Sequence, residues 1–124
     1  MSASLQPVAD WTKNQPGIAY QRCRPCNKVW PFERPHCPRC GSSEIDACAA
    51  HGDGHVFSIT RVDRAPTPEL KVHAPYTLLL VDMAEGFRVM AHGAAGLAIG
   101  DSVRASFRDF GGRMVPHFIP VPRA

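Results

Sequence analysis

Cys23-Arg-Pro-Cys26-Asn27 and Cys37-Pro-Arg-Cys40-Gly41 are two copies of one device: a pair of thiols two residues apart, then a residue that tolerates a left-handed backbone. Ten residues, 27–36, separate the two cysteine pairs. Zinc takes four soft ligands in a tetrahedron, and each Cys-x2-Cys turn offers two thiolates to one side of the ion. The segment between them, Lys28-Val-Trp-Pro-Phe-Glu-Arg-Pro-His36, starts like a short strand and carries prolines that turn it back, as a hairpin-type ribbon requires. We therefore expect Cys23, Cys26, Cys37 and Cys40 to hold one Zn2+ ion, with a rubredoxin-like iron site or a reactive dithiol as the alternatives. Four protein ligands leave no open position, so the expected role of the ion is structural. A unit of fewer than about 40 residues rarely buries enough apolar surface to fold without such a staple.

Working outward, His36 precedes Cys37 but competes poorly with four well-spaced thiolates. Cys48, the fifth cysteine, lies in the apolar stretch Ile45 to Ala50 and reads as a small buried hydrophobe. An odd number of cysteines and paired motifs favour metal over disulfides, the pattern of a reducing compartment. The N-terminus shows no basic leader with an apolar run, so no signal peptide is read and cytoplasm is the expected location. The longest mainly apolar run, Tyr76 to Val81, is far below the roughly 20 residues of a membrane span. The whole chain, 124 residues, carries a formal charge of +3. Five basic residues between Arg22 and Cys40 stand against Glu33 alone, a net of +4, which leaves −1 for the rest. The ribbon is thus the basic end of the molecule, suited to an anionic or acid-rich partner.

After the ribbon the pattern changes to short alternating apolar runs split by turn residues. Five strands are expected at about His55 to Asp63, Tyr76 to Met83, Phe87 to His92, Ser102 to Arg108 and Met114 to Val121. Ala84-Glu-Gly86 and Asp109-Phe-Gly-Gly112 supply tight turns, and Gly93 to Gly100 a connector. In the first strand, Val56, Ser58 and Thr60 should share one face and Phe57 and Ile59 the other. Five short strands in about seventy residues suit a small closed barrel of the OB type. The expected fold is mainly β: an arm or short helix in residues 1–17, with Pro7 to Lys13 as the helix and Trp11 and Ile18 as apolar anchors; a zinc ribbon in 18–46; a five-stranded OB-fold barrel in 47–124. The proline-rich stretch Arg64 to Pro75 is long for a connection, as functional loops often are.

Taken in order, the two knuckles, Gly54-x-Val56-x-Ser58-x-Thr60, Ala74-Pro75-Tyr76 and Gly100-Asp-x-Val103 resemble the rubredoxin-like zinc-ribbon plus OB-fold family, long catalogued as a domain of unknown function. The resemblance runs from about Gly17 to Pro120. It implies a non-catalytic accessory subunit that pairs with thiolase-superfamily enzymes, binds or channels acyl-CoA thioesters, and supports condensation, acyl transfer or retro-aldol cleavage. Members commonly have Gly after the first knuckle as well; here it is Asn27.

An independent catalytic site is hard to find. Nucleophile-elbow, phosphate-loop and His-Glu-x-x-His patterns are all missing from the sequence. His51, Asp53 and His55 alternate, but the glycines between them read as a turn entering the first barrel strand. His92 and His117 are scattered and read as surface or satisfied core residues. For contact with a partner enzyme or with the phosphates of an acyl-CoA, the candidates are Arg22, Arg24, Arg39, Arg64 and His73, since phosphates favour arginine. The result should be a hetero-oligomer without membrane contact. The competing reading is single-stranded nucleic-acid binding, which ribbons and OB barrels both perform. It is disfavoured because the second and third barrel strands offer only Tyr76 and Phe87 for stacking and the barrel is nearly neutral.

Overall fold

A computed structural model of the chain describes residues 8–63 and 75–121. Two β structures follow one another. The first is a three-stranded antiparallel sheet of β1 (Ala19–Cys23), β2 (Val29–Trp30) and β3 (Ile45–Ala49), in the order β2-β1-β3. The second is a closed barrel of β4 (Asp53–Val62), β5 (Tyr76–Met83), β6 (Arg88–Gly93), β7 (Ser102–Phe110) and β8 (Arg113–Pro120), in the order β4-β5-β6-β8-β7. The five expected barrel strands are all present, no end moved by more than two residues and Tyr76–Met83 unchanged. Mainly β architecture, closed barrel and N-terminal cysteine cluster are as the sequence implies.

Pro7 lies outside the described residues; among those described, the expected N-terminal helix is a 3-10 turn at Trp11–Lys13. Asp10 caps it by accepting from the Thr12 amide at 2.9 Å, and Asn14 ends it at φ 62°. The arm is tied to the β7–β8 hairpin: Met114 N donates to Asn14 Oδ1 at 2.8 Å, and the Arg113 guanidinium reaches the Thr12 carbonyl. Ile18 is buried in the barrel core with Trp11 packed beside it.

Alternation in β4 differs from expectation at one point. Val56 pairs with Val81 and Ser58 with Leu80, so Phe57 is an extra residue and a β-bulge separates the two halves of the strand. Val56 and Ile59, three residues apart, both face the core, while Phe57 is pushed outside under the Arg88 guanidinium, 3.5 Å from its ring centroid. The bulge shifts the register by one, and every side chain beyond it changes face.

The core consists of Ile18, Val56, Leu79, Val81, Met83, Phe87, Val89, Ala91, Val103 and Phe118. Inward positions therefore alternate along β5 (Leu79, Val81, Met83) and β6 (Val89, Ala91), as the period of a strand demands. Two junctions close the barrel. β4 meets β7 through Asp53–Arg104, Gly54–Val103 and His55–Ser102, and β6 meets β8, running parallel, through His92–His117 and Gly93–Phe118. Gly93 is required there: a Cβ at this position would lie 2.3 Å from Leu79 Cδ1.

The ribbon sheet leans on the β5–β6 hairpin. Tyr20 stacks on Phe87 with ring centroids 4.8 Å apart, and the Glu85 carboxylate accepts from His51 N at 2.8 Å. No helix among the described residues is long and apolar enough to cross a membrane.

Candidate functional site

Both knuckles are shaped by backbone hydrogen bonds that only a left-handed residue permits. Asn27 N donates to the Cys23 carbonyl at 2.8 Å with Asn27 at φ 63°, and Gly41 N to the Cys37 carbonyl at 3.0 Å with Gly41 at φ 80°. Both residues adopt the conformation anticipated from their types, Asn27 without glycine's freedom. Each turn is closed further within its own knuckle, Cys23 N donating to Lys28 O and Cys37 N to Ser42 O.

The four thiols converge as a result. Cys23, Cys26, Cys37 and Cys40 place their sulfurs within 4.8 Å of one another; Cys23 and Cys40 are 3.5 Å apart, Cys26 and Cys37 3.6 Å. A tetrahedron with metal–sulfur bonds of about 2.3 Å has sulfur–sulfur edges of roughly 3.8 Å, whereas a disulfide needs about 2.05 Å. The cluster can hold a metal ion, and its distances are those of shared ligands. Cys23 and Cys37 are buried with Trp30; Cys26 and Ile45 pack beside them.

Their acidities differ. Burial pushes the Cys23 thiol up to about 12, against the opposing donation from the Cys26 backbone. Burial also acts upward on Cys37, but the amides of Cys40 and Arg39, at 3.4 and 3.3 Å from its sulfur, and its neighbouring thiols bring it down to about 6. One ligand is thus poised as thiolate and another holds its proton until a cation displaces it.

The remaining sequence candidates do not gather at one place. Arg22 and Arg39 are exposed on the ribbon. Arg24 is held by Asp46, its Nε 3.0 Å from Oδ1, which braces the first knuckle against β3. Arg64 and His73 lie outside the described residues. Among the described residues, the four cysteines form the one group of three or more suited to a metal; His51, Asp53 and His55 do not join into such a group. Asp53 is engaged by Arg104, Nε to Oδ1 at 3.0 Å. Phe87 is buried under Tyr20 and presents no stacking surface to solvent.

Sequence reasoning overlooked a cleft of about 490 Å³ on the barrel flank, bordered by Tyr76, His92, Arg108, Phe110, Val115 and His117 among others. Tyr76, His92 and Phe110 cluster with centroids 4.3 to 5.3 Å apart. Arg108 Nη1 lies 3.2 Å from His117 Nε2. These residues come from four strands, and the one sequence signal was that each sits at an outward position of its strand.

Comparison with known proteins places this architecture. A model of the ChsH2 C-terminal OB-fold domain matches residues 48–108. A probable enoyl-CoA hydratase alpha subunit of Thermomonospora curvata is 33% identical over 75 residues, 60% of this chain; the chain spans only 23% of that protein's length. A DUF35 domain-containing scaffold protein of Methanothermobacter thermautotrophicus is 30% identical over 92 residues, covering 70% of this chain and 68% of the relative. Among solved structures, one described as the Ltp2-ChsH2(DUF35) aldolase superposes with a TM-score of 0.71 at 28% identity, over 84% of both chains. With this cysteine cluster, this barrel and these relatives, the chain belongs to the DUF35 family.

Proposed function

We propose that this chain is an accessory subunit, without chemistry of its own, that assembles with a thiolase-superfamily enzyme and helps to bind or channel its acyl-CoA thioester. The observation that carries the reading is the match over 84% of both chains to the structure described as the Ltp2-ChsH2(DUF35) aldolase. The relative named as an enoyl-CoA hydratase alpha subunit and the scaffold proteins support it. In this proposal residues 18–46 form a ribbon stapled by structural Zn2+ on the four cysteines, residues 47–124 the barrel, and residues 1–17 an arm that braces them, in a cytoplasmic hetero-oligomer. The closed four-thiolate set, in a ribbon whose own apolar cluster is small, suits a structural Zn2+ ion. Arg22, Arg24, Arg39, Arg64 and His73 are the residues we assign to the partner or to the coenzyme's phosphates, Arg24 also bracing the first knuckle through Asp46.

The test is to co-express the chain with a candidate thiolase-superfamily enzyme, purify through a tag on one partner, and assay acyl-CoA turnover and binding of a labelled single-stranded oligonucleotide. A complex with turnover that neither part shows alone supports the proposal. Oligonucleotide binding that is steeply salt-dependent and needs no partner would replace it with the nucleic-acid reading. Replacing Arg22 and Arg39 together with Glu should weaken assembly while leaving zinc content at one equivalent; unchanged assembly removes the ribbon from the interface.

A further inference from the structure

The cleft on the barrel flank is not used by the assembly reading above, and its chemistry is specific. It lies beside the two-pair junction of β6 and β8, where His92 and His117 stand opposite each other on the outer face. Its volume of about 490 Å³ falls within the roughly 300–1,000 Å³ of small-molecule sites.

Two parts of this wall point to a ligand. The first is Arg108. Every other arginine of the described barrel strands already has an oxygen partner: Arg61 is paired with Asp63, Arg88 with Asp82 and Arg104 with Asp53, while Arg113 reaches the Thr12 carbonyl. Arg108 makes no ion pair among the described residues; its side-chain partner is the imidazole of His117. A guanidinium can only donate, so Nε2 of His117 accepts and the ring proton sits on Nδ1. Burial, with Arg108 adding to it, lowers the His117 pKa, consistent with a neutral ring. Among the described residues the cleft therefore holds a guanidinium without an ion-pair partner and a second donor, Nδ1–H. Asp109 also borders it, but strand alternation sets that side chain on the opposite face of β7 from Arg108 and Phe110.

The second part is the ring cluster. Tyr76 lies 28° from parallel with His92 at 5.3 Å, and Phe110 closes the group edge-on to Tyr76 at 5.0 Å. Mutual packing fixes these rings, so a planar ligand would meet a preorganised apolar wall at little entropic cost. A fixed aromatic wall beside an arginine with no ion pair among the described residues, in a cleft larger than a benzoate needs, matches a flat base joined through a sugar to a phosphate.

We propose that this cleft binds a nucleoside phosphate, its phosphate on Arg108 and the Nδ1–H of His117 and its base against the Tyr76, His92 and Phe110 rings. Arginine answers phosphate with paired donors, and base–aromatic stacking adds about 1–3 kcal/mol.

The test titrates the isolated, zinc-loaded full chain with AMP, inorganic phosphate and adenosine in parallel, followed by amide NMR shifts and calorimetry. No enzyme partner is present, so the outcome is independent of the assembly reading. Expected are saturable shifts at His92, Phe110 and His117, and AMP binding at least about tenfold tighter than either fragment, since each half of the cleft contributes. Arg108→Gln should weaken AMP about tenfold or more while leaving adenosine unaffected, one lost charge-assisted contact. Because Arg108 is exposed, this variant should keep the wild-type spectrum elsewhere, and Arg108→Lys, which keeps the charge without the fork, should fall between the two. AMP shifts confined to the ribbon around Arg22 and Arg39, no saturable shift at the three cleft amides, or binding indifferent to Arg108→Gln would each overturn the proposal.

Discussion

Replacing Cys37 with Ser tests what holds the ribbon together. Its apolar cluster contains one large buried side chain, Trp30, with Cys23, Cys37, Cys26 and Ile45 around it. Burying Trp30 and Ile45 contributes about 3–6 kcal/mol between them, against about 10–16 kcal/mol for a structural zinc site. Shared equally among four ligands, that affinity is about 2.5–4 kcal/mol per thiolate, so losing one weakens zinc by roughly 100- to 1,000-fold. Cys37 is also the sulfur that accepts from the Arg39 and Cys40 amides, so the second knuckle loses its internal brace as well. Under mild chelation the variant should retain less than half an equivalent of zinc. Amide exchange should then quicken at Asn27 and Gly41, whose bonds close the two knuckles, and less at β1, which Ile18 and Tyr20 fasten to the barrel. Amides of Val81 and Val89 in the barrel core should stay protected. Full zinc occupancy, or knuckle amides that remain protected without metal, would refute the reasoning.

Acid should strip the metal, because protons compete with zinc for thiolates: uptake by the metal-free chain should weaken further as pH falls through about 6, the pKa of Cys37, and zinc binding at pH 7 should release protons, that of Cys23 among them; a metal titration with a pH indicator measures both. His117 has a pKa lowered by burial and by Arg108, so the stability it lends is present above its unfolded value near 6.5 and is lost as pH falls through the lower folded value. NMR titration should show that Arg108→Gln moves the His117 pKa upward, though not to the unfolded value, since burial persists; no movement would remove Arg108 as a cause. Gly93→Ala forces a methyl against Leu79 and should cost about 1–3 kcal/mol in urea unfolding. Adding Leu79→Ala, which vacates that space, should make the pair less than additive by about 0.5 kcal/mol or more.

The barrel strands were legible because each alternates and is bounded by glycine turns, and the four cysteines because their spacing admits few other uses. β1 and β3 were not. Ala19-Tyr-Gln-Arg-Cys23 and Ile45-Asp-Ala-Cys-Ala49 place small and polar residues where a strand pattern wants large apolar ones. They pair through the backbone across a knuckle-bearing loop, a contact no local window contains. The bulge at Phe57 was hidden for a related reason: an unbroken period of two fits the residues, and only pairing with Val81 and Leu80 reveals the extra one. The cleft was the least visible feature, since Tyr76, His92, Arg108, Phe110 and His117 become neighbours only when the barrel closes.

That closure has a kinetic side. The β4–β5–β6 meander and the β7–β8 hairpin each form from contacts close in sequence, whereas the barrel is sealed by three residue pairs at one seam and two at the other. Local pieces assemble first and long-range pairs late, because their loop entropy must be met before they stabilise anything. Sealing these seams is then the slow, cooperative event of folding, and the seam of two pairs is the place where the finished barrel opens most readily.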